Sequence, residues 1–318
     1  MSEGELLIIL GPPRSFTTVV SAMLGQHPQM YGLPEIHLFG AETMAEWWEQ
    51  CALATFNMDH GLVRVVAQIY FGEQTETSVK RAAGWLRRRS HFTTGLLIEE
   101  LAQKVSPRIL VDKSPSIVYR CESLERVYAV FPRARFLHLV RHPRGHGESV
   151  IRYLDGRRKL GPVPPSHWLL HLASFPEGSS AGGEAARVLD IDPQRGWYAL
   201  HTNICKFLES VPEPQKLRMR GEDLLTDRDQ GLAKIAEWLG LRTDSEAIEE
   251  MKHPERSPYA CFGPPGAYFG NDRSFLRAPT LRPERAESHT LEGPLSWRKD
   301  GRSFRPEVKE LAAKFGYQ

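Results

Sequence analysis

At 318 residues, with 41% hydrophobic and 25% charged side chains, the chain has an ordinary globular composition and the length for a large core. Its 41 basic and 39 acidic residues leave a net charge of +2, which gives no general attraction to nucleic acid or to membrane surfaces. Cys51, Cys121, Cys205 and Cys261 lie far apart without paired spacing, which argues against a zinc site or a disulfide framework and suits a reducing cytosol; no metal is expected. The amino-terminal stretch, with Glu3, Glu5 and a five-residue apolar run before Gly11, fits neither a signal peptide nor a membrane span. A soluble, cytoplasmic protein is the expectation.

In chain order, Leu6 to Leu10 leads into "GPPRSFTT", Arg108 to Val111 into "DKSP", and Arg135 to Val140 into "RHPRGHGES". Short apolar runs bounded by turn residues predict buried parallel strands, and the segments that follow, "TTVVSAMLGQH" and "YRCESLERVYAVFP", carry helical spacing. A fourth run, Lys216 to Met219 before "RGEDL", precedes the amphipathic "GLAKIAEWLGL". Repeated strand, loop and helix predict an α/β fold with a parallel sheet flanked by helices, whose polar turns converge on one crevice at the carboxyl ends of the strands. Residues 154 to 192 and 254 to 294 break this rhythm with Gly, Pro and Ser, and the first reads as a lid-like insertion. With neither repeat nor linker, residues 1–318 read as one domain.

The first polar turn departs from the nucleoside-triphosphatase template, because Phe16 stands where its second glycine belongs and Thr17 where its lysine belongs. It still predicts an anion site. A strand turning through Gly11 into a helix near Thr17 presents free N–H groups and a positive dipole end, to which Arg14 adds charge and Ser15, Thr17 and Thr18 add hydroxyls. In the third turn, Ser149 follows Arg141 by eight residues, about two helical turns, so one guanidinium and one hydroxyl can grip a second phosphate. Arg135, His142, Arg144 and His146 crowd the same turn, and for Arg144 and His146 a solvated basic face is the expectation.

"PRS-x-TT" after a strand, Arg141 with Ser149, "RGEDLL…IAEWLGL" and "SWRKDGRSFRPEVKELAAKFGY" together resemble the sulfotransferases that use 3′-phosphoadenosine 5′-phosphosulfate (PAPS). The resemblance runs through nearly the whole chain. It implies that Arg14, Ser15, Phe16, Thr17 and Thr18 hold the 5′-phosphosulfate, that Arg141 and Ser149 hold the 3′-phosphate, and that Trp297 and Arg298 close over the nucleotide. "MKHPERSPYACFGPPGAYFGNDRSFLRAPTLRP", "PEIHLFG" and "VDKSPS" are similar to the sulfotransferase domains of polyketide assembly lines. Those sulfonate a β-hydroxyl on a carrier-bound acyl chain before decarboxylative alkene formation, which implies an acyl carrier protein as partner. Three features depart from the wider family: Phe16 replaces a loop glycine, Gly221 replaces a common aromatic, and Lys113 is followed by Ser114 and Pro115 instead of Thr and His.

Sulfuryl transfer disperses charge in an in-line transition state, so it needs cations around the moving group and a base for the acceptor hydroxyl. Lys113, at the end of the second apolar strand, is the candidate for stabilising the leaving phosphate. Glu35 is the leading candidate base, with His253 and His37 as competitors. Arg195 is a candidate to steady a sulfonate or a substrate carboxylate, with a solvated helix-start arginine as the alternative. Trp47, Trp48 and "WLRRRS" read as a helix with a basic solvated face sooner than as an acceptor channel or a carrier dock. Two other functions remain open: a free-standing sulfotransferase for a different small molecule, and a kinase-like nucleotide-binding protein that transfers no sulfuryl group.

Overall fold

Five apolar residues, Leu6–Leu10, form β1, and each is buried. Their side chains alternate between two cores. Leu6, Ile8 and Leu10 enter one cluster and Leu7 and Ile9 the other, as the two-residue period of a strand covered on both faces requires. The structure is a computed structural model that describes residues 5–54, 57–159, 192–281 and 289–318. The lid-like insertion expected at about 154–192 therefore falls mostly outside the described residues.

The sheet has five strands in the order β2-β3-β1-β4-β5, with β2 at Met30–Gly32, β3 at Ile109–Asp112, β4 at Arg135–Val140 and β5 at Lys216–Arg220. Every pairing is parallel: Leu7 lies opposite Val111 on one side and Arg135 on the other, and β4 continues to β5 with Val140 opposite Arg220. Four of the strands coincide with the apolar runs. β2, with only three residues of mixed character, carries no such signal.

The connecting helices are α1 (Thr17–Leu24), α2 (Met44–Leu53), α3 (His60–Phe71), α4 (Glu76–Arg87), α5 (Thr94–Val105), α6 (Cys121–Val130) and α7 (Pro143–Arg158). They are followed by α8 (Pro193–Glu209), α9 (Gly221–Thr226), α10 (Arg228–Leu239), α11 (Ser245–Met251), α12 (Arg273–Arg277) and α13 (Pro306–Lys314). No described helix is long and apolar enough to cross a membrane. Trp47 is fully buried in α2, while Arg87 lies 4.7 Å above the Trp48 ring and Arg89 lies 3.4 Å above that of Trp85. The basic run after α4 thus covers aromatic faces instead of being wholly solvated.

With β1 central, the turns after β1, β3 and β4 meet at one end of the sheet. Gly11 makes the first turn tight, since a Cβ there would lie 2.8 Å from the Leu139 carbonyl of β4. A parallel sheet places its ligand crevice there.

Candidate active site

The turn after β1 enters α1 through two residues in the left-handed region, Arg14 at φ 73° and Phe16 at φ 62°. Such a conformation costs an L residue about 1–2 kcal/mol, and strain of this kind persists where surrounding contacts over-determine it. Here α1 begins with no side-chain cap and no acidic residue in its first turn. Its leading amides are therefore left for another acceptor. The Ser15 hydroxyl, wholly buried, also has no partner among the described residues. An orphaned buried hydroxyl beside uncapped amides fits an anion.

At the end of β3, Lys113 is buried and its Nζ donates to Thr18 Oγ1 at 2.8 Å and to Glu35 Oε1 at 2.5 Å. His37 Nε2 lies 3.7 Å from Glu35 Oε2, and its Nδ1 is 2.9 Å from Ser116 Oγ. Burial opposes the Glu35 charge, but the Lys113 ammonium, with His37, outweighs it and holds the carboxyl down to about 2.

Glu35 is placed through its backbone. Its N–H donates to the Gly270 carbonyl at 2.7 Å, while the next two amides, Ile36 and His37, donate to Ser114 Oγ at 3.0 and 2.9 Å. With both lone pairs used, the Ser114 hydroxyl has its one proton for Asp112 Oδ1, 2.8 Å away. Asp112 is itself fully buried, which pushes its carboxyl up to about 6 against the Ser114 hydrogen bond and the nearby His37 and Lys113 side chains. From the opposite side α3 approaches so closely at Gly61 that a Cβ there would lie 1.9 Å from the Glu35 carbonyl oxygen. Only glycine fits.

At the end of β4, Arg141 Nη1 donates to the Arg14 carbonyl at 2.7 Å, and its guanidinium lies 4.2 Å from the Phe16 ring centroid. Arg14 Nε donates to Ser149 Oγ on α7 at 3.3 Å, and its Nη1 pairs with Asp272 at 2.5 Å. The two phosphate grips that the resemblance keeps apart thus meet at the Arg14 side chain.

Neither residue expected to be solvated is so. His146 is fully buried with Nε2 3.0 Å from the Pro13 carbonyl, and Arg144 is half-buried, held by the carbonyls of Thr290, Glu292 and Pro294 at 2.9, 2.6 and 2.9 Å. Their physical reason is the same: the turn is covered by the 289–297 segment, far away in sequence. Burial, with the Arg141 and Arg14 charges, drives the His146 pKa down to about 3, so the ring is neutral.

The remaining candidates scatter. The Trp297 indole lies against Gly147 of α7 and donates to Asp192 Oδ1 at 3.2 Å, and Arg298 pairs with Asp192 at 2.7 Å and with Asp300 at 2.5 Å. Both therefore border the Arg141 turn, with the Arg298 charge already matched. Arg195 sits half-buried in the first turn of α8. His253 follows α11 and engages its own neighbours, Glu255 at 2.9 Å and Glu249 at 3.5 Å, apart from the Lys113 group. Among the described residues no cluster of His, Cys, Asp or Glu could hold a metal ion.

Four participants escaped sequence reasoning. Asp112 and Ser114 anchor the Glu35 loop, Asp272 pairs with Arg14 across 258 positions, and Asp192 holds Arg298 across 106. Asp272 does carry a legible signal as the cap of α12, accepting from the Ser274 and Phe275 amides, but capping says nothing about its free oxygen.

Residues 7–161, just under half of the chain, match the model of the sulfotransferase family, a family of transferases. No curated protein matches the sequence. Among solved structures, the sulfotransferase domain from the Synechococcus PCC 7002 olefin synthase aligns with TM-score 0.71 at 24% identity, over 99% of this chain and 96% of that one. The sulfotransferase domain from the curacin biosynthetic pathway aligns with TM-score 0.69 at 20% identity, over 99% and 98%. Sulfotransferase STF9 from Mycobacterium avium aligns with TM-score 0.51 at 15% identity, over 100% and 78%. At these identities the likeness is one of fold, and the fold is the α/β architecture read from the sequence.

Proposed function

We propose that the protein is a PAPS-dependent O-sulfotransferase acting on the β-hydroxyl of an acyl chain, presented by an acyl carrier protein. The observation that carries this reading is the position of Lys113, whose buried ammonium is shared between a hydroxyl of the anion loop, Thr18, and the Glu35 carboxylate. One cation serves both the leaving group and the base. A carrier-bound acceptor is supported by the sequence resemblance and by the source of the two larger structural likenesses, a curacin pathway and an olefin synthase.

The bound donor supplies a sulfuryl group on a phosphate leaving group. In this reading Arg14, Ser15, Thr17, Thr18 and the α1 amides hold the 5′-phosphosulfate, with Phe16 shaping the loop, while Arg141 and Ser149 take the 3′-phosphate and Trp297 and Arg298 border the nucleotide. Lys113 turns its charge toward the bridging oxygen and stabilises the departing phosphate. Glu35 is too weak a base while Lys113 pairs with it. Once the ammonium engages the donor, the burial that already opposes the Glu35 charge raises its proton affinity, and it accepts the acceptor's hydroxyl proton. His37, within 3.7 Å of the other carboxylate oxygen, orients Glu35. Arg195 and His253 keep lesser roles, the first near the acceptor and the second as an alternative base.

Two measurements test this. Calorimetry should detect binding of adenosine 3′,5′-bisphosphate (PAP) more tightly than of ATP with magnesium; the reverse order overturns the donor assignment. Mass spectrometry of a β-hydroxyacyl carrier protein incubated with PAPS should then reveal one added sulfuryl group. Transfer to the free hydroxy acid but not to the carrier-bound form would favour a free-standing small-molecule enzyme.

A further inference from the structure

Two of the three departures from the family pattern, Phe16 and Gly221, touch each other. Phe16 stands in the left-handed region in the anion loop, and Gly221 is the first residue of α9, immediately after β5. A Cβ built on Gly221 would lie 2.4 Å from Phe16 Cδ2, well inside any tolerable carbon–carbon contact. The two positions are thus mutually exclusive. An aromatic ring at position 16 lies in this place only because position 221 carries no side chain. The same ring also meets the Arg141 guanidinium, 4.2 Å from its centroid, and Arg141 is tied to the loop by its 2.7 Å bond to the Arg14 carbonyl.

We infer that Phe16 and Gly221 act as one unit that positions the Arg141 guanidinium for the second phosphate of the donor. The inference rests on the PAPS reading for the identity of that phosphate. Phe16 is a positioning residue: it wedges between the start of α9 and the β4 turn and so fixes where a charge from a third element points. The left-handed strain at Phe16 is compensated by this packing, since a ring anchored on both sides has a reason to keep an unfavourable backbone angle.

The test is a double-mutant cycle over Phe16→Gly, Gly221→Phe and the combined variant, with PAP and AMP as probes, since AMP lacks the 3′-phosphate. Phe16→Gly should weaken PAP binding about three- to tenfold more than it weakens AMP binding, in line with a partly desolvated cation–π contact. Phe16→Tyr should keep the wild-type PAP-to-AMP ratio. Gly221→Phe alone should lower the melting temperature, and Phe16→Gly in the same chain should restore most of it, because the ring then enters the vacated space. If Gly221→Phe does not fold, Gly221→Ala replaces it, since its Cβ alone makes the clash. Equal loss of PAP and AMP affinity on Phe16→Gly, or melting temperatures that add without coupling, would overturn the inference. Should the wild-type protein bind neither nucleotide, the donor reading fails, and the coupling of the pair is still decided by the melting temperatures.

Discussion

On either side of β1 the protein handles charge in opposite ways. Beyond β3 an ammonium and a carboxylate neutralise each other at 2.5 Å, and a serine saturated by three hydrogen bonds fixes the loop that carries the acid. Beyond β4 the guanidiniums of Arg141 and Arg144 rest on carbonyl oxygens, and the histidines among them are held neutral by burial. A closed ion pair is suited to moving a proton once one partner is drawn away. Carbonyl oxygens align a guanidinium without adding a negative charge of their own, a geometry suited to presenting it to an anion. The comparison separates chemistry from binding, and it can be broken by experiment.

The largest effect belongs to the β3 side. Lys113→Ala should lower sulfuryl transfer by about 10³-fold, as loss of a transition-state cation does, with PAP affinity within about threefold. A matched fall in PAP affinity and rate would make Lys113 a binding residue and erase the distinction. Glu35→Gln should cost about 10²-fold or more in rate, the contribution of a general base. Its check is steady-state kinetics with PAPS in excess. If His253→Ala were the costlier change, the base would have to be reassigned.

On the β4 side, Arg141→Ala should weaken PAP about tenfold to a hundredfold, the range for a hydrogen bond to a charged group, and leave AMP nearly untouched. Calorimetry at two salt concentrations sharpens this, since an exposed charge contact weakens as salt rises.

pH separates the regions again. His138, His142 and His146 have pKa values lowered to about 3 by burial and, for each, neighbouring cations. A base depressed in the fold contributes stability that is present above its ordinary pKa, about 6.5, and is lost as pH falls toward the folded value. The melting temperature should therefore drop steadily from neutral pH toward pH 4; a flat curve would mean these rings are not buried neutral. Asp112 works the other way. Its pKa is raised to about 6, so the stability it contributes is present below the ordinary carboxylate value and is lost as pH rises through 6. Asp112→Asn, which can still accept from Ser114, should flatten the pH dependence of melting between about 4 and 6, the smallest change of the set.

What could be read in the sequence was local. The apolar runs marked β1, β3 and β4 because a strand covered on both faces must be continuously apolar; β5, the mixed edge strand KLRMR, was marked by its place before an amphipathic helix, and the three residues of β2 offered nothing to count. Arg14, Lys113, Arg141 and Ser149 stood at strand ends or at helical spacing, so their types and positions were visible. Glu35 was visible as a candidate base, but the Gly61 and Gly270 backbones and the Ser114 hydroxyl that fix it were not.

By itself, the sequence determined the parallel α/β frame and the residues at its functional edge, because period-two burial, turn residues and uncapped helix starts act over a few neighbouring positions. Only tertiary structure decided which charges meet: Lys113 with Glu35, Arg14 with Asp272, and the Phe16 ring over Gly221. The physical reason is distance along the chain. Such pairs depend on how strands far apart in sequence are ordered in the sheet, and on side chains that must interlock without overlap once they are there.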